Sequence, residues 1–89
     1  IVRAIMKYLK NVPGCFCWKE HGGMYGTAGI PDIICCYRGK FVAFEVKTET
    51  GKTTALQESV INKIQKCGGK AAVVRSVENV KAALKEMVV

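Results

Sequence analysis

The sequence lacks any long hydrophobic run, and this absence limits the classes of protein it can belong to. No stretch of the 89-residue chain approaches the roughly 20 consecutive apolar residues that cross a bilayer. No segment has the amphipathic pattern of a helix that lies on a membrane surface. The first ten residues, IVRAIMKYLK, lack the small-residue cleavage site of a secretory signal peptide. We therefore expect a cytoplasmic protein that does not contact a membrane.

Two familiar binding signatures are also missing. The glycine-rich segment 21–29, HGGMYGTAG, is not followed by Gly-Lys-Ser/Thr, so it does not indicate a nucleotide-binding P-loop, and we expect no small-molecule cofactor. The cysteines are odd in number and form no CxxC pair, which favours reduced thiols over a zinc site, although zinc stays open as the weaker alternative. They are Cys15, Cys17, Cys35, Cys36 and Cys67.

Acidic residues are scarce relative to basic ones. Seven Asp and Glu residues stand against fourteen Lys and Arg residues, which gives a formal net charge of +7. On a chain this small, such a charge indicates a polyanionic partner. Charge alone does not separate nucleic acid from an anionic membrane, or either from a role in solubility.

Hydrophobic periodicity predicts one α/β domain over residues 1–89, with a mixed central sheet flanked by helices. The predicted order is helix, three strands, helix, strand, helix, and the last strand should run parallel to the one before the second helix. The second helix carries an apolar stripe that we expect to face the sheet: Leu56, Val60, Ile61 and Ile64. The predicted helices are 2–11, 53 or 54 to 66, and one capped by Ser76; the predicted strands are 15–19, one from 33, 40–47 and 71–75.

The segment 29–47, GIPDIICCYRGKFVAFEVK, reads as two strands joined by a turn at Arg38-Gly39. Side chains two apart in a strand share a face, so Glu45 and Lys47 point the same way. An antiparallel return brings the end of the second strand back to the start of the first. The sequence therefore places Glu45 and Lys47 beside Asp32, at one edge of the sheet and under the glycine-rich loop.

Two neighbouring carboxylates repel each other unless something compensates their charge. A divalent cation is the usual answer, and hard oxygen ligands suit Mg²⁺ or Mn²⁺. A lysine beside them can hold a water and stabilise charge on a phosphoryl oxygen. The plainer interpretation, an Asp at a strand start and a surface Glu-Lys pair, stays open. The apolar strand around Glu45 and Lys47 favours the functional interpretation, because unpaired charges are costly there.

Pro31-Asp32 followed by Glu45-Val46-Lys47 resembles the PD-(D/E)xK nuclease superfamily. Four blocks in order resemble its VRR-NUC (virus-type replication-repair nuclease) family, in the small stand-alone form of phages and bacteria: Gly29-Ile30-Pro31-Asp32, Glu45-Val46-Lys47, Gln57 and Val73-Val74-Arg75-Ser76. The resemblance spans about residues 17–84 and implies a restriction-endonuclease-like fold.

The resemblance also implies a catalytic set and a cofactor. Asp32, Glu45 and the main-chain carbonyl of Val46 would bind Mg²⁺, with Mn²⁺ able to substitute. Lys47 would orient the attacking water, and Gln57 would support the site by hydrogen bonding. The reaction implied is metal-dependent hydrolysis of DNA phosphodiester bonds.

Relatives of this type act on branched DNA, Holliday junctions in particular, as homodimers, in a bacterial or phage-infected cell. A flap or single-strand nuclease is the alternative within the enzyme class. The alternative outside the enzyme class is a catalytically inactive nucleic-acid-binding module. It is considered because the family pattern includes an acid on the first helix, whereas the first acid in this chain is Glu20. The chain begins at Ile1, so that acid either lies upstream or is dispensable; Glu20, which follows a strand, is a less favoured substitute.

Five further residues are candidates for DNA contact, each with a plainer alternative. His21 either contacts phosphate or is an ordinary loop residue, and Tyr25 either stacks on an exposed base or packs on its own domain. Lys63 and Lys66 either follow the phosphate backbone or form a solvated helix face. Arg75 either touches phosphate or is solvated at a strand end.

Overall fold

The computed structural model describes residues 1–21 and 26–87. It confirms the predicted α/β class and the predicted order of elements. Within those residues no helix has the length and apolar character needed to cross a membrane. The elements are α1 (Val2–Lys10), β1 (Cys15–Lys19), β2 (Ile33–Tyr37), β3 (Lys40–Val46), α2 (Ala55–Lys66), β4 (Lys70–Val74) and α3 (Val77–Glu86).

The four strands form one mixed sheet in the order β1-β2-β3-β4. β1 and β3 each pair antiparallel with β2, and β4 pairs parallel with β3 as predicted. The β2–β3 turn is the predicted one: Arg38 and Gly39 have φ angles of 50° and 82°, the two positive values that a tight type I′ hairpin requires. The register pairs Ile33 with Phe44, so Asp32 and Glu45 come next to each other at the end of the ladder.

The two faces of the sheet are covered unequally. α1 and α3 pack on one face, where alternate residues of β3, Val42 and Phe44, are fully buried. The opposite face carries α2, with a smaller cluster of Ile34, Ala43, Ile61 and Ala71. Glu45 lies two residues after Ala43 and therefore projects on the α2 side.

The predicted stripe of α2 is only partly buried. Ile61 is buried and Val60 and Ile64 are half-buried, but Leu56 is 50% exposed, so its prediction as a sheet-facing residue is wrong. The reason is the position of the helix, which packs chiefly on β4 at the far side of the sheet from β1. Among residues 1–21 and 26–87, no helix covers the β1 part of this face.

Candidate active site

The backbone fixes Asp32 at the start of β2 from both sides. The Val46 main-chain N–H donates to Oδ2 of Asp32 at 2.9 Å, and the Glu20 N–H donates to the Asp32 carbonyl at 2.7 Å. Neighbouring strands therefore hold the carboxylate beside the end of β3. The predicted meeting of Asp32 with Glu45 occurs through this hairpin.

Glu45 is the one buried charged side chain among the described residues, with 3% of its surface exposed. Its Oε2 accepts from Gln57 Nε2 at 3.3 Å and lies 3.7 Å from Lys47 Nζ. Burial raises the pKa of the Glu45 carboxyl to about 7, with Asp32 adding to the rise and Lys47 opposing it. Lys47 alone therefore does not compensate the negative charge of the two carboxylates, and a further positive charge would stabilise them.

Gln57 links this carboxylate to the start of α2. Its main-chain N–H donates to Oγ1 of Thr54 at 3.1 Å, and its Oε1 accepts from the Thr54 N–H at 3.0 Å. This reciprocal pair is a capping box, and the remaining Nε2 group points to Glu45. Sequence reasoning offered Thr53 or Thr54 as the cap and gave Gln57 a supporting role, but it missed the part of Gln57 in the capping box; the Thr-x-x-Gln spacing at 54–57 is the signal that indicates it.

Asp32 opens into a cavity of about 480 Å³ between the end of β1 and the segment 26–30. Glu20 and the predicted DNA-contact residue His21, which follow β1 in the chain, line the cavity, and both are exposed. Trp18 and Phe41 form part of its wall, a feature that sequence reasoning did not anticipate. The other loop candidate, Tyr25, lies outside the described residues.

Of the remaining DNA-contact candidates, Lys63 and Lys66 lie along α2 away from Gln57, and Arg75 contacts the loop after β3. Lys63 and Lys66 are exposed in the last turn of α2, and an axial rise of about 1.5 Å per residue puts them roughly 9 and 13 Å along the helix from Gln57. The Arg75 guanidinium donates to the main-chain carbonyls of Thr48 and Gly51. It thereby anchors the loop that follows Lys47.

The donor set suits a hard divalent cation. Two adjacent carboxylates, one with a raised pKa, are the oxygen ligands that Mg²⁺ and Mn²⁺ prefer. In the described part of the chain, no three His, Cys, Asp or Glu side chains group to hold a metal, α1 contains no acid, and Glu20 does not join the pair. Among the described residues, a main-chain oxygen is therefore one candidate for a third ligand.

Comparison with known proteins identifies the fold. No family model matches the sequence, and no curated protein matches it. A solved structure described as a VRR_NUC domain is similar, with a TM-score of 0.73 and 26% identity, covering 93% of this chain and 92% of the other. The chain has the VRR-NUC fold. A second structure, described as a VRR_NUC domain protein, has a TM-score of 0.72 and 19% identity, covering 98% of this chain and 84% of the other.

The VRR-NUC resemblance seen in the sequence is therefore confirmed across nearly the whole chain. The VRR-NUC fold indicates a nuclease of the PD-(D/E)xK type. The roles of individual residues remain predictions from the motif and from the geometry around Glu45.

Proposed function

We propose that this VRR-NUC domain hydrolyses phosphodiester bonds of DNA with the help of a divalent metal ion. One observation carries the proposal: the hairpin brings Asp32, which lines an open cavity, beside the buried Glu45, whose carboxylate lies 3.7 Å from the Lys47 ammonium. A structural salt bridge would not need two carboxylates against one lysine. A hydrolytic site at a phosphate would need all three.

Asp32, Glu45 and the carbonyl of Val46 are the ligands we assign to Mg²⁺, with Mn²⁺ as a substitute. The Val46 N–H points at Asp32, and in an extended strand a residue's carbonyl lies on the same side as its amide. When bound, the ion would polarise a phosphoryl oxygen and lower the pKa of a coordinated water.

Lys47 and Gln57 both lie next to Oε2 of Glu45. The Lys47 ammonium, 3.7 Å from Glu45, would hold the attacking water by hydrogen bonding and offset charge that develops on the phosphoryl oxygens. The Gln57 amide fixes the Glu45 carboxylate without adding charge.

Branched DNA is the proposed substrate, and Holliday-junction resolution by a homodimer the proposed activity. A net charge of +7 supports a polyanionic partner, and the two cuts that a symmetric four-way junction needs match the two sites of a two-fold dimer. All five cysteines are free in the structure, which supports a reducing compartment such as the cytoplasm of a bacterial or phage-infected cell.

Two other functions remain as alternatives. A flap or single-strand nuclease would use the same residues on a different DNA shape. A binding module without catalysis is favoured by one observation, the absence of an acid on α1. Retention of Asp32, Glu45 and Lys47 argues against it, because acids facing phosphate weaken binding unless a cation is present.

Alanine substitution tests the assignment. Glu45→Ala and Lys47→Ala should each abolish cleavage while DNA binding is largely kept. Glu78→Gln and Lys85→Ala, exposed positions on α3 across the sheet, are matched controls and should cleave normally. Cleavage at the wild-type rate by either site variant would refute the assignment.

A further inference from the structure

Trp18, the chain's single tryptophan, is 42% exposed next to the candidate active site. Phe16, two residues earlier on β1, is 70% exposed and lies on the same face, with its ring centroid 5.7 Å from that of Trp18. Large aromatic side chains are normally withdrawn from water, because each carries a large apolar area. Their exposure, on the part of the sheet that no described helix covers, indicates a binding surface for another molecule.

The register places this aromatic surface directly beside the carboxylates. Trp18 pairs with Ile34, and Asp32 lies two residues before Ile34, so all three project from the same face. Trp18, Ile34 and Phe41 form an apolar wall of the cavity into which Asp32 opens. A phosphate held at Asp32 would therefore have its own or the next nucleotide over this wall.

We propose that the aromatic wall (Trp18, Ile34 and Phe41, with Phe16 packed on Trp18) is a stacking subsite for an unpaired base next to the phosphate that is cut. A nucleobase has flat apolar faces, which suit the aromatic rings, and polar edges, which suit Glu20, His21 and Thr27 in the lining of the same cavity. The net charge of +7 supports a polyanion as the molecule that brings the base.

A second copy of this chain fits the same surface less well. The wall and Asp32 belong to one cavity, so a protein seated there would close the access to the carboxylate. It would also have to bury the exposed polar residues Glu20 and His21. An unpaired base would bring its own phosphate to Asp32, and its polar edges would offer hydrogen-bond partners to Glu20 and His21.

This inference rests on the proposed nuclease function and narrows its substrate. The DNA would present an unstacked nucleotide beside the cut, as a single strand, a flap or a branch point does. An uninterrupted duplex keeps its bases stacked and would leave the wall unused.

The fluorescence of Trp18 tests the inference directly, since no other tryptophan contributes signal. The Glu45→Ala variant, which should bind DNA without cleaving it, is titrated in Mg²⁺ with a single-stranded oligonucleotide, and in parallel with an oligonucleotide of equal length whose sugars lack bases. Stacking predicts strong quenching by the first and little by the second, although both carry the same phosphate charge. Equal quenching by the two, or none by either, would overturn the proposal.

Substitutions give a second, independent readout. Trp18→Ala should weaken binding of the normal oligonucleotide by roughly 5- to 100-fold, whereas Trp18→Phe should keep most of the affinity. Tyr8→Ala, an aromatic position on α1 at the opposite face, is the control and should bind normally. Unchanged binding by Trp18→Ala would refute the subsite.

Light scattering on the same variants checks the competing occupant. A wild-type dimer that becomes a monomer on Trp18→Ala would assign the wall to a second copy and overturn the proposal. The nuclease function and the subsite can be rejected independently. Quenching without cleavage in any metal would reject the nuclease function and support the subsite. Cleavage without base-dependent quenching would support the nuclease function and reject the subsite.

Discussion

The Gln57 side-chain amide donates to the buried carboxylate of Glu45 at 3.3 Å while its oxygen caps α2 at Thr54. One side chain thus ties the start of a helix to a catalytic candidate on β3. The contact that Gln57 makes with Glu45 depends on where α2 begins, and the capping box lies at that point. Helix stability and site geometry are coupled through Gln57, and two substitutions can separate them.

Thr54→Ala removes the cap and keeps the amide that faces Glu45. Loss of an N-cap costs about 1 kcal/mol of folding free energy, so the thermal midpoint should fall, with a small loss of cleavage rate. Gln57→Glu keeps an acidic acceptor for the capping box but removes the donor to Glu45 and adds a negative charge there. Cleavage should fall by about 10- to 100-fold or more.

Melting curves and cleavage rates of the two variants check whether Thr54→Ala mainly lowers stability and Gln57→Glu mainly lowers cleavage. Equal loss of cleavage in Thr54→Ala and Gln57→Glu would mean that Gln57 acts only through the helix, and the supporting role assigned to it would be wrong.

The hairpin part of the site follows from the sequence because local rules decide it. Strand alternation and the Arg38-Gly39 turn place Glu45 beside Asp32, and no distant contact is needed. The exposure of Leu56 could not be read locally, since helical periodicity does not say where on the sheet α2 packs. The aromatic wall could not be predicted for the same reason. The alternation of β1 put Phe16 and Trp18 on one face, but only the placement of α2 shows that no described helix covers these two residues.

The raised pKa of Glu45 predicts how metal-free stability depends on pH. The carboxyl has a pKa of about 7 in the folded chain against an ordinary 4.5, so the folded state holds the extra proton between these values. Stability from this group is full below about pH 4.5 and is lost as the pH rises through about 7. Metal binding needs the deprotonated carboxylate, so Mg²⁺ should raise the thermal midpoint most above pH 7.

Thermal melts in EDTA and in Mg²⁺ across this pH range measure the effect. Glu45→Gln removes the titrating group and should flatten the fall in EDTA, whereas Glu78→Gln on α3 should retain it. The same pH profile in Glu45→Gln and in the wild type would contradict the assignment of the shift to Glu45.

The salt dependence of DNA binding tests the basic candidates on α2. Each phosphate contact contributes about 0.9 to the slope of log affinity against log salt for duplex DNA, and about 0.7 for a single strand. Lys63→Ala and Lys66→Ala should each reduce the slope by about that amount, and Lys85→Ala on α3 should not. Slopes that match the wild type would remove both lysines from the DNA surface.

The observed contacts of Arg75 favour a role in holding a loop over a role in DNA binding. Its guanidinium is bonded to carbonyls of the loop after Lys47, so Arg75→Ala should lower thermal stability and slow cleavage by loosening that loop. We predict an unchanged salt slope for this variant. A slope lowered by about one phosphate contact would instead restore Arg75 as a DNA ligand.

The most direct test of the account is cleavage of labelled DNA by the purified protein, on a four-way junction, a flap, a duplex and a single strand, each with Mg²⁺, Mn²⁺ or EDTA. We predict metal-dependent cutting of DNA with unpaired or branched nucleotides, paired symmetric cuts in the junction, and no cutting in EDTA or by Glu45→Ala. Cutting of the flap or single strand alone would keep the chemistry and reject the resolvase. Binding without cleavage in either metal would contradict the central claim and leave a nucleic-acid-binding module whose α1 lacks an acid.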